Sequence, residues 1–294
     1  MDLSIIIVSW NVKEKLEECL RSIEKAIHFS QEKNKKEKKR EFEVFVVDNA
    51  SKDGSPHLVK ERFPWVHLIV NETNLGFAKA NNQALRLAQG RYVLLLNPDM
   101  RLFPDTLEEM ILFMDNPQRG KVGIAGCHLV DEKGKTIAQV RRFPTIFDQA
   151  AIVLKLPHLF PKLLDSYLRK DFDYNQEGRV DSIRGSFFMI RREVLEKIGL
   201  LDERFFLWFE EVDFCKRAKE AGYEIAYTPA AKCLDYVGQS FKQVAQYKKQ
   251  KIFTESMLKY FKKWEPWPKW LVIALLRPIG LSLTWIAEKI GFRK

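Results

Sequence analysis

Cysteine is scarce, with only Cys19, Cys127, Cys215 and Cys233 in 294 residues, spaced too far apart for a metal-ligand set. They read as reduced, packed thiols in a cytosolic protein. Long apolar runs are also missing. The longest candidate, Trp270 to Leu276, is too short to span a bilayer, and Arg277-Pro278 follows where the middle of a membrane would be. The opening segment Leu3 to Val8 lacks the basic flank and cleavage site of a signal peptide, so none is expected. Repeats and low-complexity linkers are absent too. Most of the chain lacks net charge: Lys242 to Lys294 carries 12 Lys or Arg against 3 Asp or Glu, +9 of the total +10, which leaves +1 for residues 1–241. That balance argues against a nucleic-acid surface on the main body. It divides the chain into a near-neutral body, 1–241, and a basic, Trp-rich appendage, 242–294.

What is present is an alternation. Leu3 to Ser9 is rich in β-branched residues and reads as a strand. A helix follows from about Lys13, with Leu16, Leu20, Ile23 and Ile27 on one face. Six basic and four acidic residues crowd Ser30 to Glu43, which reads as solvated helix extension or loop. Further strands are expected at Phe42 to Val47, His67 to Val70 and Tyr92 to Leu96. Helices are expected at Phe77 to Gln89, with Gly90 as C-cap, and at Pro104 to Asn116. A strand at Val122 to Ala125 comes next, and Asp131 to Gly134 reads as a hairpin turn. Arg141 to Arg179 is broken by prolines and reads as irregular, with helical pieces. Val180 to Ile190 reads as a strand containing Gly185-Ser186, followed by a short helix to Ile198 closed by Gly199. A helix from Glu210 to Ala221 and a last strand, Glu224 to Tyr227, complete the body. The expected fold class is α/β, with a mostly parallel sheet and a ligand crevice at the strand C-termini.

Three strands end in loops rich in Asp and Asn: Asp48-Asn-Ala-Ser-Lys-Asp-Gly54, Asn71-Glu-Thr-Asn-Leu-Gly76 and Asn97-Pro-Asp99. Carboxylates there could accept from a base or ribose and, with a divalent ion, hold a diphosphate. Each loop alone could equally be a capped turn. Glu210, Glu211 and Asp213 open a helix directly after the aromatic run Phe205 to Phe209. A desolvated acid there suits a general base, whereas acids at a helix start also complement its dipole. Asp235, placed after the last expected strand, could complete a metal site.

Together, Val8-Ser-Trp-Asn11, Asp48 to Ser55, Asn74-Leu-Gly-Phe-Ala-Lys-Ala-Asn-Asn82, Asn97-Pro-Asp99, Gly185 to Arg192 and Glu210-Glu-Val-Asp213 resemble the family-2 glycosyltransferases, most closely their rhamnosyltransferase-like branch. The resemblance runs from residue 3 to about 240. It implies a GT-A nucleotide-diphospho-sugar transferase fold, a nucleotide-diphosphate sugar donor, Mg²⁺ or Mn²⁺, and inversion at the anomeric carbon. By the same resemblance Ser9, Trp10, Asn11, Asp48 and Asn49 line the base and ribose pocket, and Asn74, Gly76, Asn81 and Asn82 approach the nucleotide. Asn97 and Asp99 stand in the Asp-x-Asp position, with Asp99 the direct metal ligand and Asp235 a further candidate. Gly185, Ser186 and Trp208 face the acceptor. Glu211 stands where relatives carry the aspartate base, with Glu210 and Asp213 as alternatives. The transferred sugar would be rhamnose or another deoxyhexose, the acceptor a lipid-linked or cell-surface glycan.

In the appendage, Trp264, Trp267 and Trp270 lie among Lys262, Lys263 and Lys269, and apolar residues follow. This suits an interfacial helix on anionic lipid over 262–292, a peripheral protein on the inner face of the cell membrane. Packing on the body or against a second copy in a homodimer is the alternative. Two other functions compete. A sugar-phosphate nucleotidyltransferase would show a glycine-rich basic loop after the first strand, and Ser9-Trp-Asn-Val-Lys13 has no glycine. A catalytically impaired sugar-nucleotide or glycan-binding protein would have no need for acids at 48, 99 and 211.

Overall fold

The computed structural model describes residues 1–34, 39–239 and 242–290. Part of the charged run (35–38), residues 240 and 241, and residues 291–294, which include the end of the segment expected to meet lipid, lie outside these. In chain order the elements are β1 (Leu3–Ser9), α1 (Lys13–Lys33), β2 (Phe42–Asp48), α2 (Ser55–Arg62), β3 (His67–Val70), α3 (Phe77–Leu85), β4 (Tyr92–Leu96), β5 (Met100–Leu102), α4 (Thr106–Asp115), β6 (Val122–Val130), β7 (Val140–Arg141) and α5 (Ile146–Val153). They continue as β8 (Gly178–Val180), β9 (Ser182–Ile183), β10 (Phe187–Arg191), α6 (Arg192–Ile198), α7 (Glu210–Glu220), β11 (Glu224–Asp235), α8 (Gln246–Trp264) and α9 (Trp267–Lys289).

The main sheet runs β3-β2-β1-β4-β10-β6-β11-β5, with β8 also on β11. Its first four strands are parallel; β10 joins antiparallel between β4 and β6, and β6 and β11 are parallel again. The strands are apolar on both faces because helices cover both. Leu3, Ile5 and Ile7 of β1 point into one core with α1, α2 and α4, while Ile6 points into the other with α3, α6 and α7. In β4, Tyr92, Leu94 and Leu96 face the first core, and Val93 and Leu95 the second.

Several elements differ from the sequence reading. Helix α3 stops at Leu85, and Gly90 is not its C-cap. Gly90 instead lies flat on β1: its amide donates to Ser4 Oγ at 2.7 Å, and a Cβ would sit 2.5 Å from the Ser4 nitrogen. The stretch 180–190 is not one strand. Its three pieces pair with different strands, β8 with β11, β9 with β7 and β10 with β4 and β6, so Gly185-Ser186 falls in a connecting turn. Strands β6 and β11 extend to Val130 and Asp235, well past the expected ends, because each completes its hydrogen bonds on the other after a bulge. Asp235 is therefore the last residue of a strand rather than part of a following loop.

Two helices, α8 and α9, make up most of the described residues beyond 241. Met257, Tyr260 and Phe261 of α8 are buried with Phe205 and Phe209 of the body, and Ser256 Oγ donates to the Leu207 carbonyl at 2.8 Å. Helix α9 continues straight through Arg277-Pro278, which does not interrupt it. Its 23 residues are long and apolar enough to cross a membrane, although the run before Arg277 alone is not. Its inner side is packed: Ile273, Gly280 and Thr284 are buried, and a Cβ on Gly280 would come within 2.6 Å of the Val153 carbonyl of α5.

Candidate active site

The strand registers bring the three polar loops to one edge. Asp48 pairs with Val70 across β2–β3 and with Ser9 across β1–β2, and Ile7 pairs with Leu96 across β1–β4, so the chain leaves β3, β2, β1 and β4 at the same edge. The antiparallel strand β10 begins where β4 ends, and the Asn97 amide donates to the Ser186 carbonyl at 2.9 Å. Asp235 pairs with Met100 across β11–β5, which sets Asp99 against the end of β11; the Tyr236 amide donates to the Asp99 carbonyl at 3.1 Å.

A cleft of about 570 Å³ opens at this edge. Among the expected residues, Trp10, Asn49, Asn74, Gly76, Asn97, Asp99, Gly185, Ser186, Trp208, Glu210 and Glu211 line it. The Asn49 side chain ties its floor together: it donates to the Gly76 carbonyl at 3.1 Å and accepts from Asn71 and from the Leu75 amide. Gly76 has φ +83°, and a Cβ there would collide with the Phe206 carbonyl oxygen. That same carbonyl accepts from the Phe77 amide at 2.7 Å, so the nucleotide-side loop and the segment before α7 are clamped together.

Other expected residues lie behind the cleft wall. Ser9 is fully buried. Asn11 accepts from the Lys52 amide and donates its own amide to Ser51 Oγ, stitching the first two loops together. Asp48 is buried beneath Asn49 and accepts from the Ser51 amide at 2.8 Å; its Oδ1 has no partner, and burial pushes its carboxyl up. Asn81 and Asn82 do not reach the cleft. The helical turn aims Asn81 back at the Phe77 carbonyl and Asn82 at Leu201 and Glu203. Asp213 is also turned away, fully buried and bound by Arg217, Lys263 and the Trp264 indole.

The acids that remain fall into two groups. Asp99 Oδ2 accepts from the Gln239 amide at 3.0 Å. Beside it, Asp235 is 2% exposed and accepts from the Val237 amide through Oδ1, while Oδ2 faces the Arg184 guanidinium at 3.4 Å, with Ser186 close to the carboxylate. Burial pushes the Asp235 carboxyl up, and Arg184 opposes the shift. The second group is Glu210 and Glu211 at the first turn of α7, each with a buried Oε2 that accepts no hydrogen bond. Burial raises both. Glu210 is raised well above its ordinary value, with Glu211 adding to the effect, whereas Arg184 and Arg141 draw Glu211 back down. The two carboxyls are therefore raised together and titrate as one pair, with the arginines on the Glu211 side.

Sequence reasoning missed Arg184, which sits in the cleft between the two acid groups without any motif to announce it. It also missed the contribution of α8. Lys248 and Ile252 of that helix, four residues apart on one face, and Val244 just before it line the cleft, and Trp208 packs edge-on against Phe253 of the same helix.

A parallel half-sheet whose strand ends converge on a polar cleft, followed by an acid-headed helix, is the architecture of GT-A nucleotide-sugar transferases. The chain belongs to glycosyl transferase family 2, whose profile matches residues 4–199, and it is a glycosyltransferase. It is 26% identical over 213 residues to the N-acetylglucosaminyl-diphospho-decaprenol L-rhamnosyltransferase of Mycobacterium tuberculosis, covering 68% of each chain. It is 25% identical over 170 residues to the rhamnosyltransferase WbbL of Escherichia coli, covering 55% of this chain and 61% of that one. Its fold matches the Pyrobaculum calidifontis mannosyltransferase PcManGT in complex with GDP-Man and Mn²⁺, with TM-score 0.56 and 21% identity over 97% of this chain and 73% of that one.

Proposed function

We propose that this glycosyltransferase moves a deoxyhexose such as rhamnose from a nucleotide-diphosphate donor to a hydroxyl of a lipid-linked glycan, with inversion and with a divalent ion. The observation that carries the reading is that Asp99 and Glu211 open onto the same cleft from different elements. The sugar and the lipid-linked acceptor are supported by the similarity to the mycobacterial L-rhamnosyltransferase.

Asp99 and Asp235 fit a hard cation. They are adjacent carboxylates, and Asp235 keeps a buried oxygen without a hydrogen bond. Among the described residues no cluster of three or more His, Cys, Asp or Glu is assembled. Mg²⁺ commonly takes one or two carboxylates and completes its shell with water and substrate phosphates. Bound there, the ion would supply charge neutralisation for the departing diphosphate. The chain does the rest. Asn49, Asn74 and the Gly76 clamp hold the nucleotide side of the cleft, with Asp48 beneath. Trp208 and the α8 wall bound the acceptor side. Glu211 accepts the proton of the attacking hydroxyl, beside Glu210 in the same buried turn of α7.

Helix α9 supports a peripheral position on the inner face of the membrane. Val272, Leu275, Ile279, Leu283, Ile286 and Ile290 follow spacings of three and four on one exposed face, and Leu275 and Ile290 are 64% and 69% exposed. Because the opposite face is locked onto α5, lipid contact along one side is favoured over a span, which exposes a helix all round. Lys262 over Trp270 and Lys289 over Trp285 add cations to this region.

The direct test is a thermal-shift panel of nucleotide sugars with Mn²⁺, followed by NMR of the product's anomeric proton. A dTDP-deoxyhexose should give the largest shift and an inverted linkage. A retained linkage, or transfer that is equally fast without any divalent ion, would overturn the mechanism.

A further inference from the structure

Arg184 is placed where two cations compete for one acid. Its Nη1 lies 3.4 Å from Asp235 Oδ2, longer than a direct hydrogen bond, and its side chain is 31% exposed on the cleft. Asp235 itself is only 2% exposed. The groups facing that carboxylate are Arg184, the Ser186 hydroxyl, the Val237 amide and the neighbouring Asp99. A buried acid without its positive neighbour is costly, so the guanidinium is the natural counter-ion when nothing else is bound. A guanidinium also pairs as well with phosphate oxygens as with a carboxylate.

We propose that Arg184 is a displaceable counter-ion: it neutralises Asp235 in the empty cleft, yields that acid to the divalent ion, and then binds the diphosphate oxygens of the donor. One guanidinium thereby makes metal and diphosphate binding mutually reinforcing, because the metal frees the arginine that the diphosphate needs. The inference rests on the reading of Asp99 and Asp235 as the cation site. It assigns to Arg184 a role for which its sequence neighbourhood gives no cue.

The test separates charge from shape with two variants of the full chain, Arg184→Gln and Arg184→Lys. Free Mn²⁺ is followed by electron paramagnetic resonance without nucleotide. Calorimetry then measures whichever of UDP, GDP and dTDP stabilises the wild type most, at saturating Mn²⁺. Arg184→Gln should bind Mn²⁺ about five-fold more tightly without nucleotide, the scale of one partly exposed ion pair, while Arg184→Lys stays close to wild type. With Mn²⁺ present, Arg184→Gln should bind the nucleoside diphosphate about ten-fold more weakly, as expected for loss of one charge-assisted contact. Unchanged or weaker Mn²⁺ binding by Arg184→Gln overturns the competition. Unchanged nucleotide binding overturns the handover. If neither wild type nor variant binds Mn²⁺ even with nucleotide, the cation site itself is wrong, a result distinct from the other two.

Discussion

The indole Nε1 of Trp264, at the end of α8, donates to Asp213 Oδ1 at 2.8 Å, joining the C-terminal helices to the helix that carries the catalytic candidates. Asp213 also pairs with Lys263 at 2.7 Å and with Arg217 at 2.9 Å, and it is wholly buried. An acid so engaged is a structural anchor. Asp213→Ala would leave two cations facing an empty buried site and should cost about 3–5 kcal/mol, the scale of breaking a buried pair. Urea unfolding measures this. Loss of turnover with unchanged stability would return Asp213 to the list of possible bases.

The base assignment separates Glu210 from Glu211. Glu211→Gln should retain nucleotide binding and lower turnover by about 10²–10⁴-fold, the usual contribution of a general base. Burial raises the Glu211 carboxyl, so wild-type turnover should fall on the acid side at a pH above the ordinary glutamate value of 4.5. Initial rates across pH check both statements. An acid limb at or below 4.5 would point to a solvent-exposed group instead.

Glu210 gives the complementary stability prediction. Its folded pKa is raised, so between the ordinary value of 4.5 and the raised one the native state holds a proton that the unfolded chain releases. Stability therefore declines as pH rises through that window, and below 4.5 the effect disappears. Glu210→Gln should accordingly melt higher than wild type at alkaline pH and at the same temperature well below pH 4.5. Equal melting at every pH would mean that Glu210 is not held protonated.

Much of this was legible beforehand, for a physical reason. Strands β1, β2 and β4 are buried between helix layers and β3 lies part-exposed at the sheet edge, yet the apolar runs of all four, and the polar loops after β2, β3 and β4, mark the sheet and the edge where the cleft opens almost to the residue. Likewise Glu210 marks the start of α7 and Gly222, at φ +91°, its end. The losses came where partner choice decides. Nothing in 180–190 announces that neighbouring residues will pair with different strands. Asn81 and Asn82 look like nucleotide ligands in a motif, but helical geometry sends them to backbone carbonyls. Arg184 acquires its meaning only from Asp235, 51 residues away and brought close by the fold.

Gly76 tests whether the clamp matters. Its φ of +83° and its approach to the Phe206 carbonyl leave no room for a side chain. Gly76→Ala should destabilise the protein by about 1–3 kcal/mol through backbone strain. It should also weaken nucleotide binding, because Asn49 bonds to the carbonyl of the same residue. Thermal melting and calorimetry read the two effects separately. Unchanged nucleotide affinity in the folded variant would show that the loop does not shape the donor pocket.

The membrane reading calls for substitutions rather than truncation, since removing α8 would strip Met257, Tyr260 and Phe261 from the core. Leu275→Lys with Ile279→Lys changes only exposed positions of α9 and leaves the packed Ile273 and Gly280 face intact. The double variant should sediment far less with anionic phosphatidylglycerol vesicles, while its melting temperature and nucleotide binding stay at wild-type values. High salt should weaken wild-type binding only in part, because apolar burial persists when the lysine attraction is screened. Undiminished sedimentation by the double variant would mean that this face is not the one that meets lipid. Complete release of the wild type by salt would mean that charge alone holds it there.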